Sequence, residues 1–125
     1  MLLYMKVMYY ICTNKKIGIM NIKEWIEETY TGNRYEIRNR IVCNDGFYMS
    51  VQGGYGYYCS PRTESKYYKS MEIGFPSEEE PLIFEYAENK DDYTQTVYGW
   101  VPVEIIQEVI DKHGGINIEQ TFKTK

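Results

Sequence analysis

The thiol, imidazole and phenol groups define the chemistry open to this chain. It carries Cys12, Cys43 and Cys59, and His113 as its single histidine. A nucleophilic Cys59 would need a proton acceptor such as His113, because the thiolate is the reactive form. Cys59 falls near the end of an expected strand. His113 falls at the end of an expected helix, where a cation suits the helix dipole. No cysteine-protease signature flanks either residue. A structural thiol and a helix-end imidazole are therefore expected, with a thiol-dependent enzyme through Cys59 as an alternative. The cysteines are odd in number, widely spaced and free of any CxxC pair. Neither a zinc site nor a disulfide framework is expected, and the composition suits a reducing compartment, read as the cytoplasm. The carboxylates of Glu78, Glu79, Glu80, Asp91 and Asp92 lack the spacing of a divalent-cation loop. Gly53-Gly54-Tyr55-Gly56 neither ends in the Lys-Ser/Thr of a P-loop nor fits GxGxxG. No catalytic residue, metal or cofactor is expected.

The phenols carry more. Residues 53–58 place three glycines and three tyrosines in six positions, followed by Cys59-Ser60-Pro61-Arg62. Tyrosine combines a broad apolar face with a polar tip and loses little entropy when held still. Tyr55, Tyr57, Tyr58 and Arg62 are candidate partner-binding residues, and Tyr98 and Trp100, on either side of Gly99, form a second aromatic cluster. The opposing reading is that alternate tyrosines fill the core and the rest cover a sheet face. The 14 tyrosines also accompany many Asn, Lys and Ile residues, the mark of an AT-rich genome, so their number alone decides nothing. Charge is unevenly spread. The chain totals −4, but residues 1–71 carry net +4, residues 72–92 net −7 and residues 93–125 net −1. No evenly basic nucleic-acid footprint exists. The acidic middle is either a solvated face or a surface for a basic partner, and Glu78, Glu79, Glu80, Asp91 and Asp92 are its candidate contacts.

Local patterns supply the scaffold. Asn21 with Glu24 has the spacing of a capping box, and Ile22, Trp25 and Ile26 recur at helical period, predicting a helix over Ile22–Thr29. A hairpin follows: a strand over 37–43, an Asn44-Asp45-Gly46 turn, and a return strand over 47–52 in which Phe47, Met49 and Val51 alternate with polar residues. Residues 55–59 extend the sheet, with a bulge at a glycine, and residues 67–75 form another strand. Ser77 caps a short helix over 78–86, within which Pro81 sits uncomfortably. A strand over 95–101 leads to Pro102 and a helix over 103–113, stopped by Gly114-Gly115. Residues 121–125 are expected to fray. The sum is an α+β domain over residues 20–120: a curved antiparallel sheet of four to five strands with two to three helices on one side. Residues 1–19 are either an extra strand or a leader upstream of a true start at Met20. Lys6 interrupts their apolar run, and Asn21-Ile22-Lys23-Glu24 favours the leader.

Three segments resemble small uncharacterised proteins of phages and prophages of Gram-positive gut bacteria. They are the run 43–52 (CNDGFYMSVQ) with 58–62 (YCSPR) and 72–77 (EIGFPS), the run 96–104 (TVYGWVPVE), and 112–116 (KHGGI). The similarity spans residues 20–116. It implies a genetic setting and no catalytic residues: small phage proteins without an enzyme motif often bind and inhibit host machinery, including CRISPR effectors. The leading expectation is therefore a non-enzymatic binding protein that inhibits a host protein or ribonucleoprotein defence complex. The alternative is a single-stranded nucleic-acid or nucleotide binder, with tyrosines stacking on bases and Arg34, Arg38, Arg40 and Arg62 meeting phosphates.

Overall fold

A computed structural model describes residues 19–35 and 37–123; the expectation for the N-terminal leader concerns residues 1–19, almost all outside this range. Helix α1 (Ile22–Thr29) starts as its capping box dictates: Asn21 Oδ1 accepts from Glu24 N at 2.8 Å and Glu24 Oε1 accepts from Asn21 N at 3.0 Å. Four strands follow in a simple antiparallel meander, β1 (Ile41–Val42), β2 (Tyr48–Gln52), β3 (Ser70–Gly74) and β4 (Val97–Pro102), each paired with its sequence neighbour. A 3-10 helix (Pro81–Tyr86) lies between β3 and β4; α2 (Val103–Lys112) and the single-turn α3 (Ile118–Thr121) complete the α+β fold.

The sheet buries one face because its cross-strand pairs are apolar on that side. Ile41 opposes Met49, Val51 opposes Ile73, Met71 opposes Val101 and Ile73 opposes Tyr98, and all of these are sealed from solvent. Ile22, Trp25 and Ile26 of α1 and Val103, Ile106, Val109 and Ile110 of α2 complete the core. Each fully buried large side chain contributes roughly 1.5–3 kcal/mol through loss of apolar contact with water.

Four expectations need correction. The first strand of the hairpin is two residues long, because the preceding backbone turns aside to Gln52, whose amide accepts from Arg38 N and donates to Arg38 O. Residues 55–59 form a turn-rich loop rather than a strand, followed by a single bridge to β3 between Ser60 and Ser70. The short helix is 3-10 and begins at Pro81, where a missing N–H costs nothing; Glu80, not Ser77, caps it by accepting from Leu82 N at 3.0 Å. Ser77 is occupied elsewhere, donating its N–H to Tyr48 O and accepting from Tyr48 N. Finally, Thr121 and Phe122 do not fray. Thr121 Oγ1 accepts from Val42 N and donates to Val42 O, Asn117 N also donates to Val42 O, and both Thr121 and Phe122 are buried.

The loop after β2 starts where no side chain fits. A Cβ on Gly53 would come within 2.7 Å of the Tyr68 ring, which is itself fixed by donating its hydroxyl to Thr63 O and accepting from Ser65 N. Replacing Gly53 by Ala is expected to destabilise the chain by about 1–3 kcal/mol, read by urea unfolding; an unchanged midpoint would show that the ring can yield.

Candidate functional site

A β-bulge decides which aromatic residues face outward. In β4, Tyr98 pairs with Ile73 and Val101 with Met71, so Gly99 and Trp100 together oppose the single residue Glu72. The additional residue breaks the alternation that would place Tyr98 and Trp100 on one face. Tyr98 and Val101 both point into the core at 0% exposure, while Trp100 turns out to 48% with a left-handed φ of 50°. For a non-glycine residue that conformation costs about 1–2 kcal/mol.

The Tyr/Gly loop then lies across the bulge. Trp100 N donates to Tyr58 O at 3.0 Å, Tyr58 N donates to Glu72 Oε2 at 3.0 Å, and Gly99 gives the loop room: a Cβ there would sit 3.2 Å from Tyr58 Cβ. Tyr58 and Trp100 stack with centroids 5.0 Å apart, and the Arg62 guanidinium lies 5.5 Å from the Tyr58 ring. Arg62 is itself oriented by donating Nε–H to Tyr57 O at 3.0 Å. Earlier in the loop, Tyr55 is 61% exposed and carries the Arg34 guanidinium 4.0 Å over its ring. The site is thus two cation–aromatic groups gathered around one loop, Arg34–Tyr55 and Arg62–Tyr58–Trp100.

Of the expected contact residues, Tyr55, Arg62 and Trp100 are exposed and Tyr57 and Tyr58 half-buried. Tyr98 is not available. It is a core residue whose hydroxyl donates to Tyr93 O, and burial pushes its pKa up to about 12. Glu78, Glu79, Asp91 and Asp92 are exposed as expected, but Glu80 is not. Its carboxylate is sealed inside the protein, where Oε1 lies 2.7 Å from His113 Nε2 and Oε2 2.9 Å from Lys112 Nζ. The other ring nitrogen of His113, Nδ1, lies 2.6 Å from Asp45 Oδ2, and Phe47 stacks on the imidazole at 4.0 Å.

This ion group was not foreseen from the sequence. Its one local signal is the carboxylate directly before Pro81, the position a proline-led helix leaves for a capping residue. Burial alone would lower the His113 pKa, but hydrogen bonds to Asp45 and Glu80, with their charges, outweigh it and raise the value above the ordinary 6.5. Burial likewise opposes ionisation of Glu80, yet the bonds from Leu82, Lys112 and His113 bring its pKa below the ordinary 4.5. Asp45 is lowered first by Phe47 N–H and then by His113.

The thiol pair does not form. Both His113 nitrogens are engaged by carboxylates, and Cys59 is fully buried, with Sγ accepting from Gly54 N and lying within hydrogen-bond reach of Gly54 O and Pro61 O. Burial raises the Cys59 pKa, and burial with the Asp45 charge pushes that of Cys43 to about 12. Among the described residues no group of His, Cys, Asp and Glu could hold a metal ion, and no helix is long and apolar enough to cross a membrane. No protein family, curated protein or solved structure matches the chain.

Two outcomes are expected. Stability from His113 is complete below pH 6.5 and fades as pH rises through its raised folded value; stability from Asp45 and Glu80 is complete above 4.5 and is lost as pH falls through their lowered values. Urea unfolding should therefore show a maximum at mildly acidic pH. His113→Gln should flatten the alkaline limb and cost roughly 3 kcal/mol at the maximum; an alkaline limb unchanged by that substitution would contradict the assignment. Separately, Cys43 and Cys59 should react with a thiol reagent only at the rate of unfolding, as tracked by peptide mass spectrometry. Fast labelling of Cys59 in the native protein would restore the thiol-enzyme alternative.

Proposed function

We propose that this chain is a non-catalytic binding protein of phage or mobile-element type that docks on a protein component of a host defence complex. The contact is made by Tyr55, Tyr58, Arg62 and Trp100, with Glu78, Glu79, Asp91 and Asp92 meeting basic groups of the partner. One observation carries this reading: a tryptophan held half-exposed in left-handed backbone, where a glycine would sit without strain. Strain of this kind persists where the surroundings impose it, and it concentrates at sites of function. Tryptophan, tyrosine and arginine are also the residues that dominate protein–protein contacts.

The alternative, stacking of nucleic-acid bases, is less well supported by the same geometry. Arg34 lies over the ring of Tyr55, and Trp100 and Arg62 lie against Tyr58, so fewer ring faces are left to receive bases. The setting in host defence rests on the resemblance to phage and prophage proteins.

Trp100→Gly separates a binding role from a structural one, because it relieves the backbone while removing the ring. Expression of the wild-type chain in a host whose defence system restricts a phage should raise that phage's plating efficiency. Trp100→Gly and Arg62→Glu should abolish the rescue while stability stays within about 1 kcal/mol of wild type. A purified partner recovered by cross-linking should bind each variant roughly 30-fold or more weakly, as for a central contact residue. Undiminished rescue by both variants would remove this surface from the proposal, and salt-sensitive binding to an oligonucleotide alone would favour the alternative.

A further inference from the structure

A second candidate site has no residue of the tyrosine loop in its lining. A cleft of about 490 Å³ runs between the segment leading into β1 and the C-terminal turn α3, lined by Arg38, Asn39, Arg40, Gln120 and Lys123 with Val42 and Thr121 at its floor. Its walls are fixed to each other: Val42 N donates to Thr121 Oγ1 at 2.9 Å and Asn117 N to Val42 O at 2.7 Å. Two exposed cationic side chains, Arg40 and Lys123, line it in a chain whose net charge is −4, the guanidinium of Arg38 being directed to Thr29 and Gly53 outside the lining, and no described lining residue is a carboxylate.

Arg38 and Arg40 are each held by neighbours that do not neutralise them. Arg38 donates Nε–H to Thr29 Oγ1 at 2.8 Å and Nη1–H to Gly53 O at 3.1 Å, both uncharged acceptors. The Arg40 guanidinium lies 4.1 Å from the centre of the Tyr48 ring. Among the described residues, neither arginine nor Lys123 forms an ion pair. Like charges lining one cleft with no counter-charge among its described residues favour an anion, and a planar guanidinium with free N–H groups suits phosphate oxygens.

We infer that this cleft binds a phosphate-bearing small molecule of nucleotide size. Arg40 and Lys123 meet the phosphates, Arg38 adds fixed positive charge, and the amides of Asn39 and Gln120 supply hydrogen bonds to the remainder. The volume lies within the range of small-molecule pockets and exceeds what a single phosphate would fill. This assignment is independent of the protein-docking surface, since neither Trp100 nor Tyr58 takes part.

The test is calorimetric titration of the full chain at low salt with ATP, with inorganic pyrophosphate and with an oligothymidylate, repeated on Arg40→Glu and Lys123→Glu. Both substitutions are at exposed positions, and their thermal unfolding serves as the check on folding. Saturable one-to-one binding of ATP is expected, with pyrophosphate weaker. Each charge reversal should weaken ATP binding at least about tenfold, as expected for loss of a charge-assisted hydrogen bond. Failure of ATP and pyrophosphate to saturate, or equal affinity in both reversal variants, overturns the site. Binding of the oligothymidylate alone overturns its assignment to a small molecule. Trp100→Gly should bind ATP like wild type, so loss of the docking reading leaves this one standing.

Discussion

The fold converges on the imidazole of His113. Three separate pieces of chain meet there: the turn between β1 and β2 brings Asp45, the cap of the 3-10 helix brings Glu80, and the end of α2 brings the histidine. A buried carboxylate without a partner would cost several kcal/mol, so Glu80 can be sealed inside only while His113 and Lys112 face it. The backbone reinforces the junction. Asp45 N donates to His113 O, Asn44 N to Gly115 O, and the Asn44 amide to Gly114 O. The helix that covers the core is thereby fixed to the hairpin that begins the sheet. A net hydrophobic drive would collapse these elements in any of several registers; the ion group accepts only the one that satisfies every charge.

The surface depends on a different constraint, the insertion of one residue in β4. With regular alternation Trp100 would enter the core and Val101 would leave it. The bulge keeps Val101 inside and turns the indole outward onto Tyr58. The same irregularity frees Trp100 N–H to hold the tyrosine loop. Core packing and surface recognition are thus set by one local shift in register, and the strain at Trp100 is the local cost of having both.

What could be read from the sequence was local. The capping box of α1, the Asn44-Asp45-Gly46 hairpin and the apolar stripe of α2 each announce themselves within a few residues, and all three stand in the structure. What could not be read depends on partners distant in sequence. Glu80 sits in a run of three identical residues, and only the position of His113, 33 residues on, separates it from its solvated neighbours. Tyr98 and Trp100 look equivalent under a period of two, and only the pairing with β3 reveals the shift. The docked tail follows from one threonine bonding to Val42 across 79 residues, which no short window contains. Of the surface, Tyr55, Tyr58, Arg62 and Trp100 were visible as types, but the pairing of each ring with an arginine or a second ring was not.

The hydrogen bonds that dock the loop and the tail have one more effect. They fall on the two outer borders of the sheet: Val42 is bonded by Thr121 and Asn117 on one side, and Val97 and Trp100 by Glu88 and Tyr58 on the other. A sheet with open borders invites another chain to join it as an extra strand, which gives affinity with little selectivity and exposes the protein to aggregation. Here those main-chain positions are already taken. At those positions an added strand would find no free partner.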